Sequence, residues 1–224
     1  MPRKISGIKA LIFDMDGVIV DSEPLHLLAY QELFAAYNLP FTEDENREFL
    51  GRKDIEMAVV LIERFKLPLS PVQLVEMKER ILARLLSEQS KARPGLYGIL
   101  ETARTNNVAM AVASSATLPT IELVVRTLNL QKYFHNLSSG DEVAHGKPAP
   151  DVFLLAARRL GVDPAHCLVV EDTINGVRAA LSGGMFCVAI PCDATRHQDH
   201  SEADLVLQSL AELDLPSMLA NLPD

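Results

Sequence analysis

No stretch of this chain is long and apolar enough to span a bilayer, and the opening Met-Pro-Arg-Lys lacks the apolar core of a signal peptide. Cysteine is scarce. Cys167, Cys187 and Cys192 make an odd number with no metal-like pairing, and the first two fall inside apolar runs. Reduced, packed thiols are therefore expected rather than disulfides. Positive charge is also short, with 21 Lys and Arg against 30 Asp and Glu and a net charge of −9. That balance excludes a nucleic-acid or anionic-membrane surface. It also repels an anionic substrate at long range, so a phosphate site would need local cations. Internal repeats and low-complexity tracts are missing. The expectation is a cytoplasmic protein, and nothing in its composition demands more than a monomer.

What is present is an ordinary globular composition: 224 residues, 48% of them apolar and 23% charged. The length allows one well-packed domain, or a domain carrying an insertion. Short apolar runs at 9–13, 108–113, 167–170 and 185–190 read as buried parallel strands, with shorter candidates at 136–138 and 205–207. Helical periods fall between them. Pro94-Gly95, Pro119 and Pro150 each open one, and Gly161 stops the third, which is the usual placement of proline and glycine around helices. Strands alternating with helices predict an α/β fold, a Rossmann-like doubly wound parallel sheet.

Residues 19–92 break that alternation. Helices are expected at 22–37, 43–50, 53–66 and 71–91, with Leu74, Met77, Ile81, Leu82 and Leu85 at helical spacing on the last. The reading is a core of residues 1–18 and 93–224 with a four-helix cap inserted between the first and second strands. The ends of that insertion put it in a position to hinge over the first strand-ending turn. Lys78 is expected to be a solvated helix lysine within a charged face.

Three apolar runs end in reactive side chains: the first in Asp14-Met15-Asp16-Gly17, the second in Ser114-Ser115, the third in Glu171-Asp172. In open parallel sheets, ligands bind at the carboxyl ends of strands. A fourth segment, His145-Gly146-Lys147-Pro148-Ala149-Pro150, sets a lysine just before a helix. Taken singly, each has an ordinary explanation: a turn, a capping serine, an Asp172 N-cap, a solvated lysine. Together they compose a site for phosphoryl transfer. Asp14 with Asp172 would hold Mg²⁺ through oxygen ligands. Lys147 would neutralise a phosphate oxygen, with Ser114 and turn amides donating hydrogen bonds. Asp16 would protonate the leaving alkoxide and then deprotonate the attacking water. Gly17 permits the tight backbone excursion the turn requires.

Asp14-Met15-Asp16-Gly17-Val18, Ser114, Lys147 in Gly-Lys-Pro-Ala-Pro-Asp, and Val170-Glu171-Asp172-Thr173 with Gly176 resemble the four motifs of the haloacid dehalogenase-like hydrolase superfamily. The match runs in order over nearly the whole chain. It is similar to the branch with a helical cap after the first motif, which includes β-phosphoglucomutase and many small sugar-phosphate phosphatases. The resemblance implies Asp14 as nucleophile, Asp16 as acid/base, and phosphate contacts from Ser114, Ser115 and Lys147. It implies Mg²⁺ held by Asp14, Asp172 and the Asp16 backbone carbonyl, with Glu171 alongside or acting through water. It also suggests substrate contacts from His26 and Arg52 in the cap. The dehalogenases lack an Asp at the position of Asp16, which excludes that activity.

The mutases hold a second phosphate with a lysine and an asparagine shortly after the second motif, where this chain has Ala116-Thr117-Leu118. They place an arginine past the cap glycine, where it has Asp54 near Arg52 and Lys53. Those departures favour hydrolysis of a small phosphomonoester, a sugar or polyol phosphate. The alternatives are a β-phosphoglucomutase-type isomerase and, further back, a non-catalytic binding protein. The loop holding Asp193, His197, Asp199 and His200 has metal-like residues but reads as an ordinary polar loop.

Overall fold

Short runs rich in Val, Ile, Leu and Ala, bounded by turn residues, are what strands buried on both faces require. In the computed structural model, which describes residues 7–49 and 54–220, each becomes a strand. The chain opens with β1 (Ala10–Phe13). Four helices follow, α1 (Glu23–Ala35), α2 (Glu43–Phe49), α3 (Asp54–Phe65) and α4 (Pro71–Gln89). The alternation then resumes with α5 (Leu96–Thr105), β2 (Ala109–Ser114), α6 (Leu118–Thr127), β3 (Asn136–Ser139), α7 (Asp151–Leu160), β4 (Cys167–Glu171), α8 (Ile174–Ser182), β5 (Phe186–Ala189), β6 (Leu205–Val206) and α9 (Leu215–Ala220). Arg52, and the expected helix ends at Leu50 and Lys53, lie outside the described residues.

The six strands pair in parallel in the order β3-β2-β1-β4-β5-β6. This is the Rossmann order, and its reversal point lies beside β1. All four side chains of β1 are fully buried. Ala10 and Ile12 pack into one cluster with Val152, Phe153 and Ala156 of α7 and Val177 and Ala180 of α8. The two-residue period of a strand turns Leu11 and Phe13 to the opposite face, where the Phe13 ring meets Phe134 edge-on at 5.9 Å. Side chains of this size stabilise by about 1.5–3 kcal/mol each when fully buried. All three cysteines are free and buried. Among the described residues no helix is long and apolar enough to cross a membrane.

The chain divides into two compact units, Met1–Asp21 with Lys91–Asp224, and Ser22–Ser90. Within the first, Val20 bridges Ala92 and the Arg93 amide donates to the Ile19 carbonyl at 2.9 Å, so the insertion leaves and returns through adjacent backbone. The second unit has its own core, in which Phe34 and Phe41 of the α1 side meet Leu61 of α3 and Leu74 of α4. Ser70 and Gln73 close a reciprocal capping box at the start of α4. Lys78 corrects the expectation of a solvated lysine. It is fully buried, its ammonium donating to Glu79 Oε1 at 2.9 Å and lying 5.7 Å from the Tyr30 ring centre. The reason is spacing: Leu74, Lys78 and Leu82 fall four apart on one helix stripe, and the apolar neighbours carry the lysine inward with them.

Candidate active site

Register determines which side chains meet. Phe13 lies level with Val112 of β2 and Val170 of β4, so the next residue, Asp14, emerges level with Glu171, and Ser114 comes one step beyond. The Asp14 amide donates to the Val170 carbonyl at 3.0 Å, holding the chain in line to the last residue before the turn. The turn then reverses tightly, with Gly17 N–H donating to Val20 O at 2.8 Å and Ile19 N–H to Met15 O at 2.9 Å. Gly17 sits at φ +76°, and a Cβ there would collide with the Asp172 carboxylate, so only glycine fits on both counts.

α7 follows β3, so its N-terminus lies at the same sheet edge, and the loop before it delivers Lys147. The Lys147 ammonium donates to Asp14 Oδ1 at 2.5 Å and to Glu171 Oε1 at 2.6 Å, and lies 4.7 Å from the centre of the Phe153 ring. Its side chain is only 9% exposed. Glu171 is fully buried, and its Oε2 accepts from the amides of Asp172 and Thr173 and from the Thr173 hydroxyl. A Cβ at Gly176 would overlap that carboxylate, which explains the glycine in the first turn of α8. The N-cap of α8 is Thr173, whose hydroxyl accepts from the Gly176 amide. This corrects the alternative that Asp172 is a cap and releases its carboxylate for another use.

Asp14, Glu171 and Asp172 bring carboxylate oxygens within 4.8 Å of one another. Three buried carboxylates thus face one ammonium, an excess of negative charge in a poorly solvated place. Burial is the main cause lifting the Asp14 carboxyl to about 7; Lys147 opposes the rise, while Glu171 and Asp16 add to it. Burial also raises Asp172, reinforced by Glu171 and Asp14. Burial alone would lower the Lys147 ammonium, but Asp14 and Glu171 together hold it above the ordinary lysine value. Asp172 Oδ1 is buried with no hydrogen-bond partner. Surplus negative charge, hard oxygen donors and an orphaned carboxylate oxygen fit a small divalent cation such as Mg²⁺.

Of the remaining expected residues, Asp16 lies half-buried in the Gly17 turn, near enough to Asp14 to act on it electrostatically. Ser114 is buried, its Oγ accepting from the Ala116 amide at 3.1 Å. Ser115 is exposed and sits against Gly140, where a Cβ would press on its backbone. His26 is half-buried in the first turn of α1, in the second unit. Among the described residues Asp193, His197, Asp199 and His200 form no metal-ligand group.

Sequence reasoning missed what surrounds Asp172. Thr195 and His200 are buried polar residues of that same loop, and with Cys192 they reach the Asp172 carboxylate and backbone. Nothing at 192–200 announces this in sequence, because the contacts form only when the loop after β5 folds back along β4.

The model of the haloacid dehalogenase-like hydrolase family matches residues 8–184. The protein CbbY of Cereibacter sphaeroides is 33% identical, over 92% of this chain and 94% of its own length. A phosphorylated carbohydrates phosphatase of Thermotoga maritima is 37% identical, over 80% of this chain and 82% of its own. Among solved structures, CbbY from Rhodobacter sphaeroides in complex with phosphate superposes with a TM-score of 0.84 at 32% identity, covering 95% of this chain and 99% of that one. β-Phosphoglucomutase from Clostridium difficile superposes with a TM-score of 0.77 at 25% identity, covering 95% and 96%. A doubly wound sheet with paired acids at its reversal point, matched over most of its length, leaves one assignment: this chain belongs to the haloacid dehalogenase-like hydrolase family.

Proposed function

We propose that this hydrolase is a Mg²⁺-dependent phosphatase of small phosphomonoesters, sugar or polyol phosphates, working through a phosphorylated Asp14. The enzyme is a phosphoric monoester hydrolase of its family. The observation that carries the reading is the convergence of Asp14, Lys147 and the adjacent pair Glu171 and Asp172, from three segments far apart in sequence, around one buried spot. A carboxylate approaching a phosphate is an anion meeting an anion, and the approach becomes feasible only where Lys147 and a bound cation offset the repulsion. Relatives that act on phosphorylated carbohydrates support the substrate class.

In the first step an Asp14 oxygen attacks phosphorus, the bond from phosphorus to the alcohol oxygen breaks, and Asp16 gives its proton to the departing alkoxide. Lys147 balances charge on the transferring group, and Ser114, with Ser115 beside it, contributes hydrogen bonds. In the second step Asp16 takes a proton from water, whose oxygen attacks phosphorus and breaks the bond to Asp14, releasing phosphate. Asp14, Asp172 and the Asp16 carbonyl would hold Mg²⁺, with Glu171 alongside or acting through water while it also holds Lys147. When bound, the cation supplies charge neutralisation at a phosphate oxygen. Contacts with the organic part of the substrate fall, on the resemblance, to His26 and Arg52.

A mutase reading draws support from the similarity to β-phosphoglucomutase, but Ala116-Thr117-Leu118 offers no cation for a second phosphate. Incubation with β-glucose 1-phosphate and a bisphosphate primer separates the two. Free phosphate indicates hydrolysis, and glucose 6-phosphate indicates a mutase. A screen of phosphorylated metabolites at fixed Mg²⁺, ranked by kcat/KM, then identifies the preferred ester, and absence of any turnover overturns the proposal.

A further inference from the structure

Asp172 has two carboxylate oxygens with opposite environments. Oδ1 is buried and lacks any hydrogen-bond partner. Oδ2 is crowded: the Thr195 hydroxyl and the Cys192 thiol each donate to it at 3.2 Å, and the Gly17 position stands against it so closely that no Cβ could be accommodated. The Thr195 hydroxyl is itself oriented. It accepts the Cys192 amide at 3.0 Å through one of its two lone pairs, and Oδ2 at 3.2 Å is the nearest acceptor for its proton, ahead of the Cys192 sulfur at 3.4 Å and carbonyl at 3.5 Å. The rest of the loop grips the neighbouring backbone. His200 Nε2 lies 2.8 Å from the Asp172 carbonyl, with Nδ1 against the Gln198 carbonyl at 2.9 Å. Gln198 Oε1 accepts the Ile174 amide at 2.8 Å. Thr195, His200 and Cys192 are all buried. A loop without regular secondary structure thus spends four side chains on two residues, Asp172 and Ile174.

We infer that loop 192–200 is a clamp that sets the Asp172 carboxylate for cation binding, with Thr195 as its main positioning residue. Saturating Oδ2 prevents the carboxylate from rotating to satisfy both oxygens within the protein, and so presents Oδ1 alone. Outer hydrogen bonds of this kind orient a ligand without touching the metal, and losing one typically weakens metal affinity by about 10–100-fold. The inference rests on the Mg²⁺ reading above and adds to it a set of residues outside the four sequence motifs.

The test is calorimetric titration of Mg²⁺ alone into the full-length protein and its variants. Thr195→Val removes the donor at nearly constant shape, and its Mg²⁺ Kd is expected to rise about 10-fold or more. Thr195→Ser restores the donor and is expected to bind within about twofold of the parent. Cys192→Ala is expected to weaken binding less, because a thiol is a poor donor. The Mg²⁺ concentration for half-maximal phosphatase activity should rise in proportion to each Kd. A folded Thr195→Val protein that binds Mg²⁺ as tightly as the parent overturns the clamp. If Thr195→Val does not fold, the ranking of the serine and Cys192→Ala variants decides: equal affinity in Cys192→Ala, or a loss in Thr195→Ser as large as in Cys192→Ala, overturns it. A parent protein that takes up no Mg²⁺ overturns the underlying functional reading instead.

Discussion

The Lys147 ammonium donates to Asp14 Oδ1 at 2.5 Å across a separation of 133 residues. The same ammonium reaches Glu171, so one lysine balances the nucleophile candidate just after β1 and the acid that ends β4. Replacing it with an uncharged side chain leaves two buried carboxylates without their cation. Lys147→Met is expected to reduce turnover by about 10²–10³-fold, as for loss of a charge-stabilising donor. Chemical denaturation of the metal-free protein should also show a loss of about 3 kcal/mol, as when one partner of a buried ion pair is removed. A variant retaining more than a tenth of parental kcat would place Lys147 outside the chemistry.

Asp14→Asn separates activity from stability. Amide oxygen does not form the phospho-enzyme, so phosphate release should fall below detection. The side chain it replaces is raised to about 7 by burial and by Glu171 and Asp16; a neutral isostere relieves that repulsion. In EDTA the variant's Tm should therefore equal or exceed the parent's. A fall of several degrees would mean that the Lys147 pair outweighs the burial cost.

The pH dependence follows from the same group. Asp14 goes from 3.8 in an unfolded chain to about 7 in the fold. Between those values the folded, metal-free protein holds a proton that the unfolded chain has released. The group therefore favours folding at low pH, and that contribution fades as pH rises through about 7. Asp172, raised for the same reasons, acts in the same direction. Cation binding requires both carboxylates ionised. Added Mg²⁺ should thus raise Tm more at pH 8 than at pH 6, relative to EDTA at each pH, and the calorimetric Kd should tighten over the same interval. A Mg²⁺ increment that shrinks with rising pH would contradict the ligand assignment.

Gly17→Ala tests the turn. It asks an L side chain to adopt φ +76° while its Cβ meets the Asp172 carboxylate. Strain of this kind costs about 1–3 kcal/mol, and displacement of Asp172 should weaken Mg²⁺ binding as well. Thermal denaturation and Mg²⁺ titration of one preparation read both effects; parental values in both would show that the turn tolerates a side chain.

Much of this molecule is written locally. The β1 run, the paired acids behind it and the glycine after them stand in consecutive positions, and strand period, buried apolar composition and turn chemistry are properties of neighbouring residues. The helix stop at Gly161 is legible for the same reason: it sits at φ +68°, a left-handed position at the C-cap of α7. Lys78 shows the limit of such reading. Its charge argues for solvent, yet its place between Leu74 and Leu82 decides its burial.

The order of residues along the chain determined which groups stand at the strand ends and therefore which chemistry the sheet edge can support. The tertiary structure alone decided that Glu171 serves Lys147, and that Thr195, Cys192 and His200 close around Asp172. Hydrogen bonds between residues twenty or more positions apart depend on register and on how a loop packs. Neither leaves a periodic trace in the amino-acid sequence.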